Sequence, residues 1–432
     1  MALKHFYRFL LKFLVVTPVA FFTSCTEVED PLTGQKTLSL ISTQQEIEIG
    51  RLYIPQAIND NEGLYPDREV QNYIRKVGYR IAEHTPRKVD YQFYLVNSKD
   101  VNAFALPGGP VFVNRGLILI LDNESELAGV IAHELGHINA RHHAKFLEKT
   151  YGLNILLNVL AVATSNSQYQ NLIMQMAQIG AGLLQLKYSR DQENEADALG
   201  VRFTYESGYD PRGLISTFDK FKSMEKESKS VEWLLTHPLP DTRIKNVSQL
   251  INQKYPDRLL LKKDSPEFQQ IKQKIMKTAL SYDYVEKAKE SIKNKDFNKA
   301  IKDLNSAINL YEENSSAHTY KAFVCYQIKD FNCAYRSSVY ASRIDNLYFL
   351  PKLLAGASAV KLGKDFEAIK ILEEAKDLIN TSPDLYYFLG VAYQNIGNKQ
   401  DAYKNLKTAL DITDGKRGWE LDARQRILIL TR

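Results

Sequence analysis

The chain has 432 residues, enough for two or three domains that each bury a hydrophobic core. Hydrophobic residues make up 44% of the sequence and charged residues 25%, as in an ordinary globular protein. The formal charge is +5, of which Lys4, Arg8 and Lys12 supply three, and no dense basic stripe is found elsewhere. These values indicate a globular protein and argue against a nucleic-acid partner.

Residues 1–24 predict a signal peptide. Their basic residues precede an apolar run, Phe13–Phe22, that is too short to span a bilayer. Small residues then lead to Cys25, an arrangement that resembles a bacterial lipobox, in which the cysteine becomes the lipidated first residue. The alternative is ordinary signal cleavage nearby, with Cys25 as a bystander. We expect lipidation, a lipid-anchored tether over residues 25–43 and, because Thr26 and not Asp follows the cysteine, a position in the periplasm at the outer membrane.

The pattern of a folded domain begins at residue 44. Helical spacing of apolar residues covers 44–58 and 68–84, and the aromatic and branched residues at 91–96 predict a strand. Two more short strands, at 101–106 and 111–113, flank a turn made of proline and glycine and predict a hairpin.

The next helix carries the motif His-Glu-Leu-Gly-His at 133–137. Residues four apart lie on one face of a helix, so His133 and His137 can bind one divalent ion together. Glu134 lies beside them and can take a proton from a metal-bound water. A helix with two surface histidines is the alternative. The residues predicted to anchor the helix in a core are Leu127, Val130, Ile131, Leu135 and Ile138, and the candidate caps are Asp122, Asn123 and Ser125.

Two apolar segments, 153–163 and 172–186, follow the motif helix. Neither is long or clean enough to predict a membrane span, so we expect a helical hairpin within the core. A hairpin over 153–186 that touches the membrane or gates the site is the alternative.

A further helix begins near Tyr188 and carries Glu193 and Asp197, which are four apart and share a face. A catalytic metal site built on the histidine motif needs a third protein ligand, often a carboxylate from a separate helix. One of the two acids can bind the ion while the other hydrogen-bonds a ligand histidine from behind. A solvated helix face is the alternative for a pair of this kind.

Together these motifs resemble the M48 family of zinc metallopeptidases, which includes the CAAX-processing protease, the membrane-stress proteases and a periplasmic branch with C-terminal repeats. The resemblance covers residues 40–250, and the motifs agree in order and spacing. The matching stretches are Asn102–Ala105 with Pro107–Gly109, His133–His137 with Arg141 and His142, Ser189–Asp197, and Thr236–Ile244.

The resemblance implies one zinc ion per chain, held by His133, His137 and Glu193. It also implies catalytic roles, which we assign to Glu134, Asp197, His237 and Arg243. Glu134 would be the general base, Asp197 would support a ligand or carry a proton, and Arg243 would lie near the metal.

His237 has two possible roles at such a site. Pro238 ends any helix there, so His237 lies on a loop. It would either stabilise the developing oxyanion or occupy the open position on zinc and silence the enzyme. A surface histidine is the remaining alternative.

Beyond a charged stretch at 251–280, interpreted as a linker helix, the chain repeats itself. Small residues recur at three offsets with a step of 34 residues, which is typical of tetratricopeptide repeats. Paired helices approach closely where they cross, and only small side chains allow this. The pattern predicts about four helix pairs over 281–432, stacked as a solenoid with a concave binding face. The three sets are Ala288, Ala322, Gly356 and Gly390; Ala300, Ala334, Ala368 and Ala402; and Ala307, Ala341, Ala375 and Ala409.

Two cysteines, Cys325 and Cys333, fall within the repeats. They form no metal-binding pattern, and we expect them to be small buried core residues. A disulfide between them is possible in an oxidising compartment, but spacing alone does not show one.

The sequence therefore predicts an α+β zincin-type metallopeptidase domain over 44–250, followed by an all-α tetratricopeptide solenoid. We expect a zinc-dependent endopeptidase of the bacterial cell envelope. By resemblance to the repeat-bearing branch, its substrates are unfolded, misfolded or stalled outer-membrane and envelope proteins, and the repeats bind the client or the outer-membrane assembly machinery. The strand at 102–105 can hold substrate as an added strand. The alternatives are a chaperone or assembly adaptor with a latent protease, and a dedicated processing enzyme with few substrates.

Overall fold

A computed structural model describes residues 26–29, 34–152, 170–255 and 261–432. The predicted signal peptide, Cys25 and residues 153–169 of the predicted 153–186 hairpin lie outside the described residues. Within the described ranges, no helix has the length and apolar content needed to cross a membrane.

The described elements are mostly helical, with two small sheets. The strands are β1 (Thr26–Glu29), β2 (Lys36–Ser39), β3 (Gln92–Val96), β4 (Ala103–Ala105) and β5 (Pro110–Asn114). The first helices are α1 (Thr43–Asp60), α2 (Arg68–Ala82), α3 (Arg115–Ile120), α4 (Glu124–Asn139), α5 (described over 142–152), α6 (Gln170–Leu184), α7 (Arg190–Glu206), α8 (Arg212–Lys226), α9 (Trp233–Thr236) and α10 (Asp241–Lys254). The later helices are α11 (Pro266–Lys293), α12 (Phe297–Leu310), α13 (Ser315–Gln327), α14 (Phe331–Ile344), α15 (Phe349–Lys361), α16 (Asp365–Leu378), α17 (Pro383–Asn395), α18 (Lys399–Ile412) and α19 (Glu420–Leu430).

The larger sheet confirms the predicted strand and hairpin. Its order is β3-β5-β4, with β5 parallel to β3 and antiparallel to β4. The Phe112 ring of β5 stacks between Tyr94 of β3 and Phe104 of β4, at centroid distances of 5.0 and 4.9 Å. Such cross-strand aromatic pairs stabilise a small sheet and fix its register. The strand order leaves β4 at one edge of the sheet.

The stretch predicted as a tether contains two strands that were not predicted from the sequence. β1 and β2 pair antiparallel, with Glu27 opposite Leu38. Beyond β2, Ile41 is buried and its carbonyl accepts a hydrogen bond from Arg141 Nη2 at 2.5 Å. The chain after β2 is therefore attached to the turn that follows α4. The polarity of residues 26–39 suggested a loop, but their short alternating pattern forms two paired strands.

The motif helix α4 is buried on every side, and not only along the predicted apolar stripe. Asn123 is its N-cap and accepts a hydrogen bond from the Glu126 amide, as one of the predicted caps. Two glycines permit close crossing with α7. A Cβ on Gly136 would lie 2.6 Å from the Ala196 carbonyl oxygen, and one on Gly200 would lie 3.0 Å from the backbone of His133. This close approach brings the acids of α7 to the histidines of α4.

The repeats form the predicted helix pairs, from α11 with α12 to α17 with α18. The small residues lie at the crossings: a Cβ on Gly356 would be 2.3 Å from Leu372 Cγ, and one on Gly390 would be 2.6 Å from Leu406 Cγ. Cys325 and Cys333 form a disulfide, and only Cys325 is fully buried, so the expectation of two buried core thiols was wrong.

The segment interpreted as a linker helix is part of the packed structure. α11 runs without a break from Pro266 to Lys293, and its residues Phe268, Ile271 and Ile275 are buried in the same core as α2 and α4. Tyr282 of α11 donates a hydrogen bond to Asn97 Oδ1 at 2.7 Å. The apolar positions of α11 therefore join the repeats to the peptidase-like part. The domain limits that we assigned at 250 and 280 stay predictions.

The inner face of the first three repeats is covered by the chain itself. In each repeat, the first helix packs against the first helices of the neighbouring repeats, and the second helices pack against one another far less. The first helices therefore line the concave side of the solenoid. The turn after α1 lies there: Glu62 Oε1 pairs with Lys289 Nζ at 2.5 Å, and its carbonyl accepts from Ser316 Oγ at 2.9 Å. The Leu64 amide donates to Asp345 Oδ2 at 2.6 Å. This part of the expected concave binding face is therefore already occupied.

Candidate metal centre

All seven residues that the sequence singled out are buried in one cluster. α4 supplies His133, Glu134 and His137; α7 supplies Glu193 and Asp197; His237 is the C-cap of α9; and Arg243 lies in the first turn of α10. Three separate parts of the chain, α4, α7 and the α9–α10 segment, thus contribute to one site.

Four of these residues offer metal-binding atoms at one point. One ligand atom from each of His133, His137, Glu193 and His237 lies within 4.8 Å of all the others. His133 Nε2 is 3.1 Å from His137 Nε2, and the two carboxylate oxygens of Glu193 are 3.6 and 3.7 Å from these nitrogens. Among the described residues this is the group of histidine and acidic side chains arranged to hold a metal ion.

The donor set fits a divalent metal ion. Metal-binding histidines must be neutral, and burial lowers the pKa of His137 well below its usual value. His133 Nδ1 faces the carboxylate of Asp197, so its hydrogen belongs there and its Nε2 presents a lone pair. That lone pair points at His137 Nε2 and at the Glu193 carboxylate, and a cation between them relieves the repulsion.

Asp197 supports His133 from behind. Its Oδ1 lies 2.9 Å from His133 Nδ1, and the guanidinium of Arg243 binds both oxygens, at 2.7 and 2.8 Å. Burial acts against ionisation of Asp197, but Arg243 and His133 outweigh it, so its pKa is lowered. Arg243 Nη1 also contacts Glu193 Oε2 at 2.5 Å, so one cation holds both acids of α7 in place.

Glu134 faces the same cluster from α4, with its Oε1 3.7 Å from His237 Nε2. Burial raises the pKa of its carboxyl to about 7, close to the value that suits a group exchanging protons near neutral pH. Trp233 Nε1 donates to Glu134 Oε1 at 3.3 Å. The other oxygen, Oε2, is buried without a hydrogen-bond partner among the described residues. A free acceptor at this place is what a proton acceptor for a nearby water requires.

His237 enters the ligand group from its loop. Its Nδ1 lies 3.0 Å from Glu193 Oε1 and 3.4 Å from His133 Nε2, while its Nε2 lies 3.7 Å from Glu134 Oε1. Trp233 stacks on its ring at a centroid distance of 4.4 Å. It is therefore not a surface histidine, which removes one of the three alternatives.

Several residues of the site were not assigned a role from the sequence alone. His142 Nδ1 lies 2.8 Å from His137 Nδ1, and Glu195 Oε2 lies 3.1 Å from His142 Nε2. The Tyr188 ring stacks on His137 at 3.7 Å, and its hydroxyl bonds His143. The pair of histidines just after the motif helix could have indicated these contacts, because residues at the start of the next helix can turn back towards the ligands.

Comparisons with known proteins agree with this arrangement. The family model described as "Peptidase family M48" matches residues 66–251, and the one described as "Tetratricopeptide repeat" matches residues 383–414. The chain is 28% identical over 408 residues to the beta-barrel assembly-enhancing protease of Escherichia coli, covering 90% of this chain and 78% of that protein.

Two further relatives each match about half of this chain. The beta-barrel assembly-enhancing protease of Yersinia pestis is 33% identical over 235 residues, covering 52% of this chain and 48% of that protein. The mitochondrial metalloendopeptidase OMA1 of Saccharomyces cerevisiae is 31% identical over 239 residues, covering 51% of this chain and 67% of that protein.

Proposed function

The chain belongs to peptidase family M48 and is a metallopeptidase, and from this premise we propose that it is a zinc-dependent endopeptidase of the bacterial cell envelope. The observation that carries the proposal is the convergence of His133, His137 and Glu193 beside Glu134. Two imidazoles and one carboxylate are a usual ligand set for a catalytic zinc ion.

His133, His137 and Glu193 would hold the ion. When bound, zinc supplies Lewis-acid chemistry, lowering the pKa of a bound water and polarising the scissile carbonyl. Glu134 Oε2 accepts the proton of the attacking water and later delivers a proton to the leaving amine. Asp197, clamped by Arg243, keeps the proton of His133 on Nδ1, so that Nε2 stays available as a ligand.

The edge strand β4 is the proposed docking site for substrate. Among the described strands, only β5 pairs with it, so its second edge has no strand partner there. β4 also packs against α4, which carries the motif. Main-chain pairing of this kind binds an unfolded segment with little sequence preference, which suits an enzyme that removes misfolded or stalled envelope proteins.

Two features support a place in the envelope. The Cys325–Cys333 disulfide is expected in an oxidising compartment such as the periplasm. The relative from Escherichia coli is named for beta-barrel assembly, and we propose by similarity that the repeats of this chain contact client proteins or the outer-membrane assembly machinery. Cys25 would hold the protein at the membrane by a lipid.

One observation favours a second candidate, an assembly adaptor whose protease is normally latent. His237 faces the same point as the proposed ligands and would leave no open position for water. In that case assembly would continue in a Glu134→Gln variant. Loss of assembly together with cleavage would reject the adaptor.

Metal analysis paired with a cleavage assay tests the enzymatic proposal. Wild type should contain about one zinc per chain and cleave an unfolded protein such as casein. His137→Ala and Glu193→Ala should lose both properties, and His84→Ala, which removes an exposed histidine, should keep both. Equal zinc content in all four proteins would reject the ligand assignment.

A further inference from the structure

The outer nitrogen of His137 faces another histidine instead of a carboxylate. His137 Nδ1 and His142 Nδ1 are 2.8 Å apart, and both residues are fully buried. On its other side, His142 Nε2 lies 3.1 Å from Glu195 Oε2, whose side chain is 21% exposed. The three side chains form a hydrogen-bonded line that leads away from the metal centre.

The far end of this line determines where every hydrogen lies. A carboxylate only accepts, so the hydrogen of His142 belongs on Nε2, where it is donated to Glu195. Neutral His142 then has a lone pair on Nδ1, and His137 must supply the hydrogen between the two Nδ1 atoms. Burial favours the neutral form of both rings. His137 is left with a lone pair on Nε2, the atom that faces His133 and Glu193.

The chain places His142 at this point by a turn at the end of α4. Arg141 has a φ of 57°, a left-handed conformation that is strained for a residue other than glycine. Its guanidinium is held by Glu46 Oε2 at 3.0 Å and by the Ile41 carbonyl at 2.5 Å. Because these contacts fix the turn, His142 at the start of α5 points back towards α4.

The two histidine ligands thus differ in their supports. His133 is backed directly by Asp197, an anion held by Arg243. His137 is backed by a neutral imidazole, with the anion Glu195 one residue further away. We propose that His142 is a positioning residue that fixes the tautomer and ring orientation of His137, with Glu195 fixing His142 in turn. This inference rests on the proposed role of His137 as a zinc ligand.

Substitutions at position 142 separate positioning from simple packing. Asn carries its carbonyl oxygen on Cγ, where histidine carries Nδ1, so His142→Asn restores an acceptor opposite His137 Nδ1. The amide of His142→Gln lies one bond further out and does not. His142→Ala removes the acceptor altogether. A role in packing alone would rank Gln, the larger side chain, above Asn.

The measurement is zinc affinity of the full chain, by competition with a chromogenic chelator. We expect His142→Ala and His142→Gln to bind zinc roughly 10–100-fold more weakly than wild type, and His142→Asn to stay within about threefold. His318→Ala, which removes a partly buried histidine of the repeats that bonds the Glu312 carbonyl, is the matched control and should also stay within about threefold.

The outcomes distinguish this inference from the proposed function. If wild type binds no zinc, both are rejected. If wild type binds zinc and the Asn and Gln variants bind it equally, positioning by His142 is rejected while the zinc site stands. The comparison of Asn with Gln decides the question even if the Ala variant does not fold.

Discussion

His237 Nδ1 lies 3.0 Å from Glu193 Oε1, so a histidine from a loop and the carboxylate from α7 face the same point. A structural zinc is closed by four protein ligands, whereas a catalytic one keeps a position for water. The geometry therefore raises the question of whether His237 closes this site.

We predict that His237→Ala raises the rate of cleavage of an unfolded protein, because the open position on the metal is freed. If His237 instead stabilises the oxyanion, the same change should lower the rate by about a hundredfold or more. Initial rates at equal zinc content measure the difference, with His84→Ala as the control for loss of a histidine. A fall in rate with zinc unchanged would make His237 a catalytic group and end the self-inhibition model.

Glu134→Gln is expected to abolish cleavage while the fold and metal content stay unchanged. The amide keeps an oxygen that can accept the hydrogen bond from Trp233 Nε1, but it cannot take a proton from water. Turnover of the unfolded substrate and zinc analysis of the same preparation check this. Substantial proteolysis by the variant would show that another group is the base.

Truncation after residue 280 should destabilise the peptidase part or make it insoluble. The cut removes Tyr282, which bonds Asn97 and packs 4.0 Å under the guanidinium of Arg115. It also exposes the turn at Glu62 that the repeats cover. Removal of residues 414–432, whose helix α19 keeps Leu428 and Ile429 exposed, is the milder control. A soluble, zinc-binding fragment of residues 25–280 would show that the two parts fold separately.

Breaking the Cys325–Cys333 disulfide should lower the free energy of unfolding by about 2–3 kcal/mol, because the crosslink restricts the unfolded chain over a short loop. Denaturant unfolding of the Cys325→Ala, Cys333→Ala variant, compared with wild type in the presence and absence of reductant, measures the effect. Wild type in reductant should match the variant. No change on reduction would show that the bond adds nothing to stability.

Cys25→Ser should release the protein from membranes, since the proposed lipid is attached to this sulfur. Fractionation of cells that express the variant, with the periplasmic and outer-membrane fractions probed separately, provides the measurement. A variant that sediments with membranes as wild type does would argue against the lipid anchor and for another contact.

The sequence by itself determined the local features of the site. The helical period placed His133 and His137 on one face, and the 34-residue step identified the repeats, because both depend on spacing along the chain. The β4–β5 hairpin followed from its turn residues in the same way. The matching motifs added Glu193, Asp197, His237 and Arg243 by resemblance.

Only the tertiary structure decided which groups support these residues and what covers the repeats. The support of His137 by His142 depends on a left-handed turn at Arg141, which Glu46 and Ile41 stabilise from a distant part of the chain. Glu62 covers the inner face of the repeats because α11 packs into the core that it shares with α2 and α4. A periodic pattern shows that one face of a helix carries apolar or small residues. Which element packs against that face depends on contacts between elements far apart in sequence, and no local spacing encodes those contacts.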